Sequence, residues 1–174
     1  HITSMMNSVL EIAQLDSNKD DLSLSPVNIH LLCNCEMEQI KRLHMKPGIE
    51  YRIEGNNEED MVYTNPSHFS LILAHLLNNA NKFTEKGSIT LSYKADNENN
   101  RMIITITDTG CGISADKREW IFERFTKADD FVPGSGLGLY LCRQIALRMK
   151  GKICVDPDYT TGLRIILTLP IKPE

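Results

Sequence analysis

An acidic residue and two clusters of glycines have the types and the spacing of a nucleotide pocket. Asp108 follows the run at residues 102–107, whose alternating, β-branched side chains predict a strand. A buried carboxylate at the end of a strand can accept a hydrogen bond from the amino group of a base, and Gly110 and Gly112 let the backbone turn beneath a planar ligand. The second cluster, at residues 134–139, opens a predicted helix whose free N–H groups favour phosphate oxygens. The ordered set indicates a nucleotide site.

A polar stripe on a third predicted segment adds ligands for phosphate and metal. His75, Asn79, Lys82 and Phe83 recur at helical spacing on one face. An amide oxygen can ligate Mg²⁺, an ammonium group can meet phosphate oxygens, and an aromatic ring can border a base. A solvated polar stripe with one core phenylalanine would give the same pattern. The acidic residue and the glycine clusters make that second interpretation the weaker one.

The elements that must position these residues are predicted from periodicity and turn signals. Helices are predicted over residues 2–15, 28–44, 67–84 and 137–149. Strands are predicted over residues 49–53, 61–63, 87–93, 101–107, 151–155 and 162–169. We expect the first two strands to pair with each other and the next two to form a hairpin. This order predicts an α+β fold, a two-layer α/β sandwich in which helices cover one face of a mixed, mostly antiparallel sheet.

Local signals refine two of these helices. Ser25 before Pro26 predicts an N-cap with proline at the first helical position, and Pro47-Gly48 ends the helix that follows. In the helix over residues 137–149 we expect five apolar side chains in the core: Leu137, Leu139, Leu141, Ile145 and Leu147.

Composition narrows the possible partners. The 174 residues, 41% hydrophobic and 24% charged, suffice for one globular core with a small appendage. A formal net charge of −4 and the lack of a Lys/Arg block argue against nucleic acid and against a membrane surface as partners, and the apolar runs are far shorter than a bilayer span. The five cysteines fit neither a zinc ribbon nor a disulfide framework, so we expect reduced, mostly buried thiols: Cys33, Cys35, Cys111, Cys142 and Cys154.

These segments resemble the catalytic ATP-binding domain of sensor histidine kinases, in the superfamily shared with gyrase, the ninety-kilodalton heat-shock chaperone and mismatch-repair ATPases. The family's four motifs appear in order: residues 75–84 resemble the N box, 108–113 the G1 box, 121–125 the F box and 134–139 the G2 box. The F box separates histidine kinases from the other ATPases. The resemblance covers residues 22–170.

The resemblance implies ATP and Mg²⁺ as ligands and a role for each motif residue. Asn79 would coordinate Mg²⁺ and Lys82 would contact the phosphates, so these two are the implied catalytic residues. Asp108 would accept from the adenine amino group, and residues 126–133 would form a lid over ATP. The other implied nucleotide-binding residues are His75, Phe83, Gly110, Gly112, Ile113, Phe125, Gly134, Gly136, Leu137 and Gly138.

Two departures from the family pattern shape the expected reaction. His75 stands where histidine kinases usually have asparagine and hydrolysing relatives have glutamate, so efficient ATP hydrolysis is not expected. The side chain could hydrogen-bond near Mg²⁺ or be an ordinary exposed histidine. The phosphoacceptor motif of the family does not occur in the chain. Residues 1–19 resemble the trailing piece of the dimerisation hairpin's second helix and a linker, and residues 20–174 resemble the catalytic domain.

The resemblance therefore implies a kinase that phosphorylates a histidine on a separate dimerisation hairpin, for relay to the receiver domain of a response regulator. It also implies a homodimeric parent and a cytoplasmic location for this domain, with the parent anchored in the inner membrane. Two alternatives remain open: a protein-serine kinase of the anti-sigma type, against which the F box and the upstream helix count, and a nucleotide-binding scaffold without transfer activity.

Overall fold

The computed structural model describes residues 23–55, 57–123 and 138–174. Several predictions from the sequence lie outside these residues. They are the helix over residues 2–15 with the boundary after residue 19, the lid at residues 126–133, and the placement of Phe125, Gly134, Gly136 and Leu137.

Among the described residues, helices and strands follow the predicted order, with one strand, β1, added to those predicted. The helices are α1 (Ile29–His44), α2 (Pro66–Phe83) and α3 (Gly138–Arg148). The strands are β1 (Ser25–Asn28), β2 (Ile49–Gly55), β3 (Met61–Thr64), β4 (Gly87–Asp96), β5 (Arg101–Asp108), β6 (Lys152–Val155) and β7 (Leu163–Pro170). Two short 3₁₀ turns, Ala115–Lys117 and Trp120–Phe122, lie between β5 and α3. Within the described ranges, no helix is both long and apolar enough to cross a bilayer.

Five strands form one sheet in the order β2-β4-β5-β7-β6, and only the β2–β4 pair is parallel. Alternate side chains of the central strands, including Leu91, Ile104 and Leu167, are fully buried where the helices pack on the sheet. The residues between them, such as Thr90 and Thr105, are partly exposed on the opposite face. The predicted fold class, a mostly antiparallel sheet with helices on one face, is confirmed.

The predicted pairing of the strands at residues 49–53 and 61–63, which are β2 and β3, is wrong. β2 instead joins β4 in parallel, with Ile49 opposite Gly87, and β3 pairs with β1 in a separate two-stranded ribbon. A parallel return needs a long crossover connection, and α2 supplies it between β2 and β4. The polar residues after β2 signal a turn, but such a signal does not say which strand the chain pairs with next.

The predicted N-cap of α1 is also wrong. Asn28, not Ser25, caps this helix, because its Oδ1 accepts a hydrogen bond from the Leu31 amide at 3.0 Å. Pro26 lies in β1, in a two-stranded ribbon where its missing N–H is tolerated. α2 begins one residue before the predicted start, and the Asn65 side chain caps it by accepting a hydrogen bond from the His68 amide at 3.0 Å.

Two predictions about burial need correction. Leu141 and Ile145 are buried on α3, one turn apart. Leu147 is 57% exposed, because it follows Ile145 by two positions and so lies on nearly the opposite side of the helix. All five cysteines are free. Only Cys33 and Cys142 are buried; the exposed ones are Cys35, Cys111 and Cys154.

Candidate nucleotide-binding site

The carboxylate of Asp108 is held by backbone amides from two directions. It ends β5, is 3% exposed, and its Oδ1 accepts hydrogen bonds from Gly110 N at 2.9 Å and Leu163 N at 3.2 Å. Burial raises the pKa of this carboxyl above its ordinary value, although both amide hydrogen bonds act in the opposite direction. Among the described residues, no hydrogen bond reaches Oδ2. That oxygen is left to accept from a further donor.

The glycine loop after Asp108 packs against the end of α2. The Cys111 amide donates to the Phe83 carbonyl at 3.3 Å, and a Cβ on Gly110 would overlap that same carbonyl. Gly112 has a φ of +70°, a backbone conformation that favours glycine. The structure therefore brings the predicted glycine loop and Phe83 together, with Ile113 packed against the core just beyond.

The predicted stripe on α2 runs along the margin of its buried face. His75, Asn79 and Phe83 are partly buried and Lys82 is exposed. The start of α3 lies against the first of these residues, since a Cβ on Gly138 would be 3.3 Å from His75 Nδ1. The amino end of α3 therefore borders the same helix that the glycine loop contacts near its carboxyl end.

The described part of the predicted F box has a packing role. Ile121 and Phe122 are 5% and 1% exposed. The Arg143 guanidinium of α3 lies 4.5 Å from the centre of the Phe122 ring and forms an ion pair with Glu119 at 2.9 Å. Trp120 packs against the core. These contacts join the 3₁₀ turn at Trp120–Phe122 to α3.

Sequence reasoning missed the loop that supports Asp108 from behind. The Tyr159 hydroxyl donates to the Asp108 carbonyl at 3.0 Å. Gly162 has a φ of +147°, and a Cβ there would overlap the same carbonyl oxygen, so only glycine lets Leu163 approach the carboxylate. The Arg164 guanidinium lies 4.4 Å from the centre of the Tyr159 ring. An isolated glycine before an apolar run was the available signal.

Comparison with known proteins decides the family. The family described as histidine kinase-, DNA gyrase B- and HSP90-like ATPase matches residues 64–173, which is more than half of the chain. The chain belongs to this family. The matched range includes α2, the glycine loop, α3 and the loop behind Asp108.

Within the histidine kinase-, DNA gyrase B- and HSP90-like ATPase family, the chain is similar to histidine kinases. The autoinducer 2 sensor kinase/phosphatase LuxQ of Vibrio vulnificus is 27% identical over 181 residues, covering 99% of the chain and 21% of LuxQ. The crystal structure of full-length ShkA in complex with AMPPNP matches with a TM-score of 0.87 and 30% identity over 98% of the chain and 36% of ShkA. The mycobacterial sensor histidine kinase MprB matches with a TM-score of 0.74 and 27% identity over 87% of the chain and all of that structure.

The resemblance to the catalytic ATP-binding domain of sensor histidine kinases is confirmed by these matches. The chain spans about a fifth of the length of the curated relatives it matches.

The ionisation of Asp108 gives a test of its burial in this ATPase-family fold. In the folded chain the pKa of Asp108 lies above the unfolded value of about 3.9, so the unfolded chain releases this proton first as pH rises. The free energy of unfolding of the wild type therefore falls as pH rises from the unfolded pKa to the folded pKa. We predict that the difference in free energy of unfolding, Asp108→Asn minus wild type, becomes more positive from about pH 4 towards neutrality. Urea denaturation across this range measures it. A difference that stays constant with pH would contradict the raised pKa.

Proposed function

We propose that this chain is the ATP-binding catalytic domain of a sensor histidine kinase. It binds Mg-ATP and presents the γ-phosphate to a histidine on a separate dimerisation hairpin. The observation that carries the proposal is the convergence on α2 of two elements: the glycine loop after Asp108 contacts Phe83, and the amino end of α3 lies against His75.

The residues present fit an adenine base. The Asp108 Oδ1 is occupied by two backbone amides, so Oδ2 can accept from the adenine amino group. A Cβ on Gly110 would overlap the Phe83 carbonyl, and one on Gly112 would lie 3.0 Å from the Gly162 carbonyl oxygen, so the two glycines let this loop pack closely around the Asp108 carboxylate. Phe83, partly buried at the end of α2, offers an aromatic edge to the base or ribose. A guanine would place an acceptor opposite the same carboxylate. This acceptor therefore favours adenine over guanine, and ATP over GTP.

The polar stripe fits Mg²⁺ and phosphate. Mg²⁺ keeps several waters and takes few protein ligands when phosphates are present, so the single amide oxygen of Asn79 suffices as its protein ligand. The exposed ammonium of Lys82 can meet the phosphates, and the N–H groups at the start of α3 add further donors. When bound, Mg²⁺ neutralises charge that develops on the transferred phosphoryl group.

We infer that the domain holds ATP for transfer and hydrolyses it slowly. α2 contains no acidic residue that could activate water beside the phosphates, and its stripe begins with His75. The neutral imidazole of an acceptor histidine is itself a competent nucleophile, so the domain need not supply a strong base. Its contribution is to hold the phosphates in line and balance their charge through Lys82 and the α3 end.

The partners follow from the same proposal. They are the parent's own dimerisation and phosphoacceptor domain, to whose second helix residues 1–19 would belong, and the receiver domain of a response regulator. Residues 20–174 would then form the catalytic domain. We propose a homodimeric parent anchored in the inner membrane, with this domain in the cytoplasm and without a nucleic-acid partner.

Phosphotransfer tests the proposal. We predict that the chain binds Mg-ATP in calorimetry and that adding the parent's dimerisation hairpin yields acid-labile phosphohistidine on the hairpin. A mixture with a hairpin whose acceptor histidine is replaced by glutamine serves as the control. Acid-stable phosphoserine would favour the serine-kinase alternative, and nucleotide binding without transfer would favour the scaffold.

A further inference from the structure

Three side chains behind the proposed site join α1, β2 and α2 through hydrogen bonds. We call Lys46, Tyr51 and Asn81 the end clamp. Asn81 is 6% exposed and follows Asn79 by two positions, so it lies on the far side of α2 from the proposed metal ligand. Its Oδ1 accepts from the Tyr51 hydroxyl at 2.6 Å, and its Nδ2 donates to the His44 carbonyl at 3.0 Å. The buried amide is therefore tied to β2 and to the end of α1.

Lys46 stabilises the carboxyl end of α2. Its Nζ donates to the Asn81 carbonyl at 2.5 Å and to the Thr84 carbonyl at 3.1 Å, and its backbone amide donates to the Tyr51 hydroxyl at 3.0 Å. The last carbonyls of a helix have no partner within it, and α2 ends at Thr84 in an extended conformation instead of the usual glycine turn. A cation at this position satisfies these carbonyls and meets the negative end of the helix dipole.

The clamped turn is also the turn that meets the glycine loop. Phe83, between Asn81 and Thr84, accepts from the Cys111 amide at 3.3 Å, and Gly110 lies close to the same carbonyl. Any rotation or fraying of this turn would move that carbonyl and the loop together. The clamp therefore acts on the floor of the proposed base pocket without touching it.

We propose that the end clamp positions the nucleotide site, and that Lys46 and Tyr51 are positioning residues for Mg-ATP binding. This inference rests on the proposed function, since it assigns the clamp to that same site. The clamp fixes the last turn of α2 from behind, so that Phe83 and the loop at Gly110 keep the spacing that a bound base requires. Loss of the clamp lowers nucleotide affinity beyond any loss of stability.

Tyr51→Phe is the sharpest variant, because it removes one hydroxyl and leaves the ring in place. We expect it to weaken Mg-ATP binding about tenfold, since it leaves the buried Asn81 Oδ1 without its donor. Lys46→Met should weaken binding at least as much, and Lys46→Arg should recover part of the loss. The second readout is hydrogen exchange at the Cys111 amide, which should become faster in Tyr51→Phe without nucleotide. Calorimetry is run well below each variant's melting temperature.

Ser70→Ala is the matched control. The Ser70 hydroxyl donates to Glu36 at 2.6 Å and joins α2 to α1 three turns before the clamp, so this variant also loses one interhelical hydrogen bond. We expect lower stability with unchanged affinity and unchanged Cys111 exchange. If Tyr51→Phe and Lys46→Met behave like Ser70→Ala, the inference is overturned. If wild type binds no Mg-ATP, the proposed function fails, while Cys111 exchange still decides whether the clamp holds the loop.

Discussion

Asp108→Asn will weaken ATP binding by at least about 100-fold while the chain stays folded. The asparagine oxygen replaces Oδ1 and keeps both hydrogen bonds, from Gly110 N and Leu163 N, because only an acceptor fits there. The NH₂ group must then occupy the position of Oδ2. It presents a donor to the adenine amino group, and two buried donors facing each other leave both without an acceptor.

The same change predicts a reversal of base preference. A guanine has a carbonyl where adenine has the amino group, so Asp108→Asn should lower the ratio of ATP affinity to GTP affinity by at least about 100-fold. Calorimetry with both nucleotides measures this ratio, and circular dichroism checks the fold. Asp96→Asn, at the opposite end of the same β4–β5 hairpin, removes a carboxylate far from the site and should leave the ratio unchanged. Normal ATP binding by Asp108→Asn would mean that the carboxylate does not accept a hydrogen bond from the adenine amino group.

Much of this site follows from local patterns in the sequence. The helical spacing of α2 predicted its polar stripe, and the β-branched run before Asp108 predicted the strand that ends there. Both signals are local, because neighbours in sequence fix which face a side chain occupies. The bounds of α2 and of the β4–β5 hairpin were predicted well for the same reason.

What the sequence did not predict depends on residues far apart along the chain. β2 pairs with β4 only after α2 has carried the chain back, and periodicity does not encode that choice. The hydrogen bond from Tyr159 to Asp108 joins residues 51 positions apart in sequence, and the one from Tyr51 to Asn81 joins residues 30 positions apart. A single polar residue in a loop or at a helix end has no period. Its partner becomes visible only when the fold brings the two together.

The two sides of α2 have different roles in the proposed site, one in binding and one in holding the helix in place. One side faces the proposed phosphate and metal site through Asn79, and the other is held by the buried network at Asn81. Residues two positions apart on a helix lie on nearly opposite sides, so one short segment can bind a ligand and be held in place. This division predicts that substitutions on the two sides differ in their response to Mg²⁺.

Asn79→Ala will abolish the Mg²⁺-dependent part of ATP binding and slow phosphotransfer to the hairpin by about 100-fold. The amide oxygen is the proposed protein ligand of the metal, so its loss should matter only when the metal is present. In EDTA, wild type and Asn79→Ala should bind ATP with equal affinity. With Mg²⁺ they should diverge, by about 10-fold or more.

Asn78→Ala provides the matched control, because it removes the same amide from the adjacent position of the same helix. Both asparagines are partly buried, and both substitutions change helix propensity equally, so stability effects largely cancel. Asn78 lies about 100° around the helix from Asn79 and should follow wild type with and without the metal. Calorimetry on the three proteins in Mg²⁺ and in EDTA forms a closed thermodynamic cycle. If Asn79→Ala keeps the wild-type response to Mg²⁺, or Asn78→Ala loses it, the metal ligand does not lie at Asn79, and the stripe on α2 must bind the phosphates in another way.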